Sequence, residues 1–239
     1  MSTRRSLLRS FLGVGVAGAV GSFALPGAVR ISYAAALTRE QRDKLTPDEV
    51  LEMLKRGNER FRAGKMQGHD YLAQQRGTAG GQYPAAAILS CIDSRAPAEI
   101  VLDTGIGDTF NARVAGNIAD EDLVGSLEFA CAAAGAKLIL VMGHTACGAI
   151  KGAIDGVQLG HLTGLLNKIK PAVTATTYSG ERTSKNAAYV DAVAVTNVKR
   201  TIAEIRRQSS VLAELEHAGK IRMVGSMYHL ADGQFEVLA

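Results

Sequence analysis

The sequence predicts an α/β fold in which helices flank a mostly parallel central β-sheet. Two apolar runs without charge, at residues 85–89 and 138–142, are typical of buried strands. Segments of helical periodicity separate the apolar runs, which is the pattern of a parallel sheet covered on both faces. With 239 residues, of which 47% are hydrophobic and 21% charged, the chain has the composition of one globular domain rather than of a disordered or fibrous protein.

The first half of the chain is expected to supply the start of this sheet. Thr46, Pro47 and Glu49 form a helix N-terminus, with a capping box and a proline in the first turn. We expect this helix to end near Gly64. It is followed by a glycine-rich loop at 77–84, a strand at 85–89, a short helix at 97–102, a strand at 109–114, a helix at 122–134 and a strand at 137–142.

The second half is expected to be mainly helical. Helices are predicted at 162–169, ending at Pro171, and then at 187–208 and 211–218. Two final strands are predicted at 221–228 and 235–238, joined by a hairpin turn at 231–233. Open sheets of this kind bind ligands beyond the carboxyl ends of their strands, so the residues that follow the apolar runs are candidates for a site.

Residues 1–36 are predicted to be a signal peptide of the twin-arginine type, which leaves 37–239 as the folded domain. Arg4 and Arg5 precede an uncharged stretch at 10–29 that contains five glycines, and alanines at 34–36 allow cleavage before Leu37. The expected location is therefore periplasmic or otherwise exported, with the twin-arginine export machinery as a transient partner. An uncleaved membrane anchor and a mitochondrial presequence are the alternatives.

The positive net charge of the chain belongs to this leader. Residues 1–36 hold four of the 27 basic residues and none of the 23 acidic ones, so the remainder of the chain is neutral. No basic stripe is left that would attract a phosphate backbone, and we therefore expect no nucleic-acid partner.

Two cysteines and a histidine follow the two apolar runs. Cys91 comes shortly after the first run, and His144 and Cys147 come after the second. Two thiols and an imidazole suit a tetrahedral Zn²⁺ ion, and three protein ligands leave a fourth position open for chemistry. The sequence therefore predicts a catalytic zinc site. A closed structural zinc site and a Cys91–Cys147 disulfide are the alternatives.

Asp93 and Arg95 accompany this cluster. They alternate with Cys91 along the chain, so the three side chains are expected to point the same way at the end of a strand. A carboxylate paired with a guanidinium is held ionised and oriented, which allows Asp93 to accept a proton beside the open metal position. Asp93 is also an alternative fourth ligand, if Arg95 releases it.

The motif Cys-x-Asp-x-Arg, followed by His-x-x-Cys-Gly, resembles the β-class carbonic anhydrases. The likeness extends over most of residues 45–239 and includes the segments at 111–117 and 125–130. It implies a zinc-dependent enzyme that reversibly hydrates CO₂ to bicarbonate and a proton by means of zinc-bound hydroxide. It also implies a homodimer or a higher homo-oligomer, with an active cleft shared between subunits.

Carried over by position, the resemblance implies a role for each residue of the motif. The implied zinc ligands are Cys91, His144 and Cys147, the implied catalytic pair is Asp93 and Arg95, and the implied substrate-binding residues are Gln82 and Gly148. Members regulated by a non-catalytic bicarbonate site carry a tryptophan at the position of Ile88. This chain has no tryptophan, so we do not expect that form of regulation.

Two other functions stay open at this point. A hydrolase acting on carbon disulfide or carbonyl sulfide would use the same metal motif, and a catalytically silent zinc-binding or carbon-sensing protein would keep the ligands. The intact Asp93–Arg95 pair argues against a silent protein.

Cys131 is expected to be a buried inert thiol, and Arg113 either a structural salt-bridge partner or a residue lining the site. The other histidines are expected at the surface or at helix ends: His69, His161, His217 and His229.

Overall fold

A computed structural model describes residues 36–238, so the predicted leader lies outside the described residues except for Ala36. The described chain confirms the α/β prediction. Its strands form one sheet in the order β2-β1-β3-β4-β5, in which β5 runs antiparallel to β4 and the other pairs are parallel. The strands are β1 (Ala86–Ser90), β2 (Thr109–Arg113), β3 (Leu138–His144), β4 (Arg222–Tyr228) and β5 (Phe235–Val237).

Helices cover both faces of the sheet. They are α1 (Arg39–Lys44), α2 (Pro47–Arg62), α3 (Tyr71–Thr78), α4 (Ala98–Val101), α5 (Glu121–Glu128), α6 (Gly148–Asp155), α7 (Gly160–Ala175), α8 (Ala187–Gln208) and α9 (Ser210–His217). A 3₁₀ turn at Ala115–Asn117 follows β2, and a π-helical turn at Phe129–Ala133 extends α5. Within residues 36–238, none of the helices has both the length and the hydrophobicity needed to cross a membrane.

The alternation of side chains along β1 divides the core into two layers. Ala87 and Leu89 belong to the layer that also contains side chains of α5, α7 and α8, whereas Ala86 and Ile88 belong to the layer that contains side chains of α2 and α4. All residues of β1 and β3 are buried. Burial on both faces explains why these two strands appear in the sequence as continuous apolar runs.

Helix α2 begins as the sequence predicts and packs very closely against its neighbour. Thr46 and Glu49 form the capping box, with Pro47 in the first turn. Further along the helix, a Cβ atom at Gly57 would lie 1.8 Å from the carbonyl oxygen of Leu102, so only glycine fits at this contact. The predicted hairpin between β4 and β5 is also confirmed.

Several local predictions were wrong. Helix α7 does not end at Pro171 but continues to Ala175, because Ala172 of its last turn is buried in the core and tertiary packing offsets the missing proline hydrogen bond. The predicted loop at 77–84 begins inside helix α3, and helix α6 was not predicted at all. The single helix expected at 122–134 is α5 followed by the π-helical turn.

Candidate metal centre

Cys91, His144 and Cys147 meet at the carboxyl end of the sheet. Cys91 directly follows β1, His144 is the last residue of β3, and Cys147 is the N-cap of α6. The parallel register of β1 and β3 places the ends of the two strands side by side. The three ligand atoms lie within 4.8 Å of one another, and each residue is at most 4% exposed. The topology therefore brings together a compact, buried set of two sulfurs and one nitrogen.

The spacing of these atoms fits a tetrahedral metal ion. Two sulfurs bound to zinc at about 2.3 Å with a tetrahedral angle would be about 3.8 Å apart, and the Cys91 and Cys147 Sγ atoms are 4.0 Å apart. A disulfide needs about 2.05 Å, and both thiols are free in the structure. The donor set is thus arranged for a shared cation rather than for a sulfur–sulfur bond.

His144 is oriented in the way that a metal ligand requires. Its Nδ1 lies 2.9 Å from the carbonyl oxygen of Thr145, which accepts a hydrogen bond when the proton is on Nδ1. The lone pair then resides on Nε2, which is buried and has no hydrogen-bond partner within residues 36–238. A buried nitrogen without a partner costs free energy, and a cation between the two thiolates would compensate for that cost.

The thiols are electrostatically coupled. Hydrogen bonding from Cys147 lowers the pKa of Cys91 to about 4, while the same hydrogen bond, together with burial, raises the pKa of Cys147. Burial alone would lower the pKa of His144, but the adjacent Cys91 sulfur and its charge raise it on balance. Cys147 is therefore the thiol that holds its proton more tightly, and binding of a divalent cation would displace this proton.

Backbone N–H groups support the Cys91 sulfur. The N–H of Gly116 donates to Cys91 Sγ at 3.3 Å. Gly116 has a φ of +70°, and a Cβ atom there would lie 2.5 Å from Ile169 Cδ1, so a side chain is excluded both by conformation and by space. Asn197 of α8 is buried and donates from Nδ2 to the Gly116 carbonyl at 2.7 Å, which fixes the orientation of this turn.

Asp93 and Arg95 form a bidentate pair at the edge of the cluster. Arg95 donates from Nε to Oδ1 of Asp93 at 2.9 Å and from Nη2 to Oδ2 at 2.8 Å, and its backbone N–H donates to Oδ1 at 3.0 Å. These bonds hold the pKa of Asp93 well below its usual range. Oδ2 of Asp93 also lies 3.7 Å from His144 Nε2, so the ionised carboxylate faces the space between the three ligand atoms.

Arg113 supports the backbone that carries Cys91 and Asp93. It donates from Nε to the carbonyl oxygen of Cys91 at 2.9 Å and from Nη2 to the carbonyl oxygen of Asp93 at 2.7 Å. The sequence left two alternatives for Arg113, a salt-bridge partner and a residue lining the site. Neither describes it fully, because its observed partners are main-chain oxygens. Arg113 thereby links the end of β2 to the segment that follows β1.

We expect Arg113→Ala to lower the free energy of unfolding by about 2 kcal/mol, because two carbonyl oxygens lose charged donors. Urea denaturation of the purified protein measures this change. Arg113→Lys keeps the charge but not the fork of donors, so its loss should be intermediate. A change below about 0.5 kcal/mol for Arg113→Ala would show that water replaces the guanidinium without cost.

The two predicted substrate-binding residues lie in different places. Gly148 is the exposed first residue of α6, adjacent to Cys147. Gln82 precedes β1 whereas Cys91 follows it, and the strand between them alone spans about 13 Å. Gln82 is exposed beside Arg39, Tyr83 and Phe129. The structure therefore does not bring Gln82 to the cluster of its own chain.

Other sequence-based candidates lie outside the cluster. Cys131 is buried in the π-helical turn, and burial raises its pKa to about 12, as expected for an inert thiol. His69 lies at a helix end, directly before the N-cap Asp70 of α3, but it is not at the surface. Its side chain is 2% exposed and lies 3.0 Å from the buried Asp103 carboxylate. His161 is exposed at the start of α7, and His229 lies 2.9 Å from Glu236.

The sequence did not single out the two polar residues by which helix α8 contacts the site. Asn197 holds the turn beside Cys91, and Asp191 accepts a hydrogen bond from the Ala146 amide at 2.8 Å. Both lie within a 22-residue helix that has no recognisable motif. A polar residue within the apolar stripe of a helix, as at Asn197 between Ala194 and Val198, was the signal available in the sequence.

Comparison with known proteins agrees with this geometry. Residues 86–235 match the family model for carbonic anhydrase. "Carbonic anhydrase 2" of Mycobacterium tuberculosis is 36% identical over 194 residues, which cover 79% of this chain and 91% of that protein. The carbonic anhydrase of Mycolicibacterium smegmatis is 34% identical over 193 residues, which cover 80% of this chain and 93% of that protein.

Similarity to a solved structure places the fold within one class of these enzymes. A structure from Sordaria macrospora, described as a tetrameric β-carbonic anhydrase, superimposes with a TM-score of 0.59 at 27% identity. The match covers 67% of this chain and 83% of that chain. Together with the cluster of Cys91, His144 and Cys147, these findings show that the chain belongs to the carbonic anhydrase family, and within that family to the β class.

Proposed function

We propose that this enzyme is a zinc-dependent carbonic anhydrase that reversibly hydrates CO₂ to bicarbonate and a proton. The observation that carries the proposal is the buried Nε2 of His144, which has no hydrogen-bond partner in the part of the chain that the structure describes and which faces two thiols, with the Asp93 carboxylate beside them. Cys91, His144 and Cys147 would hold the metal. When bound there, zinc supplies a Lewis acid that makes a water molecule nucleophilic near neutral pH.

Asp93 and Arg95 orient the reacting water in this proposal. The Asp93 carboxylate accepts a hydrogen bond from the water, which directs an oxygen lone pair towards CO₂. Arg95 keeps Asp93 ionised and prevents it from rotating, through the two parallel hydrogen bonds between the side chains. In the described conformation the carboxylate is therefore directed by Arg95, and its alternative role as a fourth ligand would require this pair to separate.

The positions of Gln82 and Gly148 support a shared cleft. Gly148 is next to Cys147, so its N–H is available to bind bicarbonate at the same site. Gln82 lies at the opposite end of β1 and can reach a cluster only in a second copy of the chain. We therefore propose a homodimer or a higher homo-oligomer, which the tetrameric Sordaria macrospora relative supports. Sedimentation analysis of the purified protein tests this assembly.

Stopped-flow measurement of CO₂ hydration, with the zinc content determined on the same sample, tests the proposed function. We expect one zinc per chain and turnover that falls when a chelator removes the metal and returns when zinc is restored. Parallel assays with carbon disulfide and carbonyl sulfide separate the alternative hydrolase. Turnover of either of these and not of CO₂, or the absence of zinc from active protein, would overturn the proposal.

We expect the pH dependence of activity to follow the loss of a single proton, that of the water molecule that reacts with CO₂. The hydrogen bonds from Arg95 lower the pKa of Asp93, so this carboxylate stays ionised even below its ordinary pKa and does not become neutral between pH 5 and pH 9. Ile88, at the position of the regulatory tryptophan, is fully buried in the core. Activity should thus rise with pH as a one-proton titration. A steep multi-proton profile measured between pH 6 and pH 9 would contradict this expectation.

Export in folded form is proposed from Arg4 and Arg5, with residues 1–36 as the signal peptide and 37–239 as the mature domain. The twin-arginine route carries folded proteins, so zinc can bind both thiolates before they reach an oxidising compartment. Changing both arginines to lysine should leave active, zinc-loaded protein in the cytoplasm. Cell fractionation measures this, and unchanged delivery of the variant would show that another export route is used.

A further inference from the structure

The loop between two of the proposed metal ligands contains a residue in an unfavourable backbone conformation. Ala146, between His144 and Cys147, has a φ of +54°. Among the described residues, the other non-glycine residues with positive φ are Asp103 and Asn117, whose side-chain types tolerate this region. Ala146 has no polar side chain that could stabilise the turn locally. The stabilisation must therefore come from groups outside the residue.

Asp191 provides such a contact. The Ala146 N–H donates to Oδ1 of Asp191 at 2.8 Å. Asp191 lies 45 positions further along the chain. A hydrogen bond from a backbone N–H to a carboxylate is stronger than one to a neutral acceptor. Asp191 thus acts on the residue whose conformation determines the direction in which the chain leaves His144 and approaches Cys147.

Helix α8 is a rigid base for this contact. Its residues Val193 and Val198 are completely buried. Against β3 the packing is so close that a Cβ atom on Gly143, the residue before His144, would lie 2.7 Å from Val198 Cγ2. The carboxylate of Asp191 is therefore fixed relative to the end of β3, rather than carried on a mobile loop.

A second anchor holds the neighbouring residue but not Ala146 itself. The N–H of Thr145 donates to the Tyr228 carbonyl oxygen at 3.0 Å, and Thr145 Oγ1 accepts from the Leu230 N–H at 3.0 Å. These bonds fix the loop directly after His144. The approach to Cys147 then depends on Ala146, and the hydrogen bond to Asp191 acts at that point.

We infer that Asp191 is a positioning residue for the metal centre. By holding Ala146 in the left-handed conformation, it keeps Cys147 at the distance from Cys91 and His144 that a tetrahedral ion requires. Asp191 is not itself a ligand or a catalytic residue. The inference rests on the proposed metal site, but it concerns the geometry of the loop and can be tested separately from the reaction.

The test uses the full chain with Asp191→Ala, Asp191→Asn, and Asp191→Ala combined with Ala146→Gly. Zinc affinity is measured by competition with a chelator, and the geometry of the site by the visible spectrum of the Co²⁺-substituted protein. Glu204→Ala is the matched control, because Glu204 is a carboxylate on the same helix, about 20 Å further along it. Its partners are Arg207 and Gln208 rather than the loop.

We expect Asp191→Ala to weaken zinc binding by about 10- to 100-fold and to shift the cobalt–thiolate absorption, which are effects typical of groups that orient metal ligands. Asp191→Asn keeps an acceptor oxygen and should stay within about threefold of the unmodified protein. Ala146→Gly should restore most of the affinity lost in Asp191→Ala, because glycine adopts positive φ without strain. A simple loss of helix stability would not be rescued in this way.

Two results would overturn the inference: unchanged affinity in Asp191→Ala, or no rescue by Ala146→Gly. If the unmodified chain binds neither Zn²⁺ nor Co²⁺, the proposed function fails, and hydrogen exchange of the Ala146 amide in the metal-free chain decides the role of Asp191. Faster exchange of this amide in Asp191→Ala than in Glu204→Ala supports the contact, and equal exchange refutes it.

Discussion

Cys147→Ala should abolish stoichiometric zinc binding and CO₂ hydration, whereas Cys131→Ala should leave both intact. The two variants make the same chemical change, in side chains that are both buried, but only Cys147 belongs to the cluster. Loss of one of three protein ligands should weaken zinc binding by more than the 10- to 100-fold typical of residues that merely orient ligands. Metal analysis and stopped-flow hydration on the same preparations measure both effects.

The control variant also separates the metal site from general packing. Cys131 has only a structural role in this scheme, so Cys131→Ala should cost about 1 kcal/mol of stability through a small cavity and leave the zinc stoichiometry unchanged. Retention of zinc by Cys147→Ala would refute the ligand assignment. Loss of zinc from Cys131→Ala would mean that the structure around the site, rather than Cys147 specifically, controls metal binding.

The sequence predicted the parts of the fold that depend on local patterns. The apolar runs of β1 and β3 are visible because both faces of these strands are buried, and the start of α2 is visible because its cap lies within four residues. Cys91, His144 and Cys147 follow strand ends, so the rule for parallel sheets brings them to one edge. These predictions needed no knowledge of contacts between distant segments.

The remaining features depend on tertiary contacts that have no local signal. The continuation of α7 beyond Pro171 depends on burial of its last turn against the core. Likewise, Asp191 and Asn197 become part of the site only because α8 packs across β3 and the turn after β2. Gln82 also lies at the end of β1 opposite to the cluster of its own chain. No pattern within one sequence reveals whether the glutamine of a second copy reaches this cluster.

Asp93→Asn should lower kcat/KM for CO₂ hydration by about 100- to 10,000-fold, the range typical of groups that handle a proton in the reaction, while one zinc per chain is retained. The substitution keeps the shape of the side chain but removes its charge and one of the acceptor oxygens that pair with Arg95. Arg95→Ala should act in the same direction, because Asp93 would then be free to rotate.

Comparison with a surface pair shows why this effect is specific to the site. Asp48 and Arg222 form an exposed ion pair with a distance of 2.5 Å between Nη1 and Oδ1, and such pairs contribute about 0–1 kcal/mol to stability. Asp48→Asn should therefore leave hydration unchanged. If Asp93→Asn stayed within threefold of the unmodified enzyme, the orienting role would be wrong. If Asp93→Asn lost its zinc, Asp93 would be a metal ligand. The pair with Arg95 would then be the state in which Asp93 has left the metal.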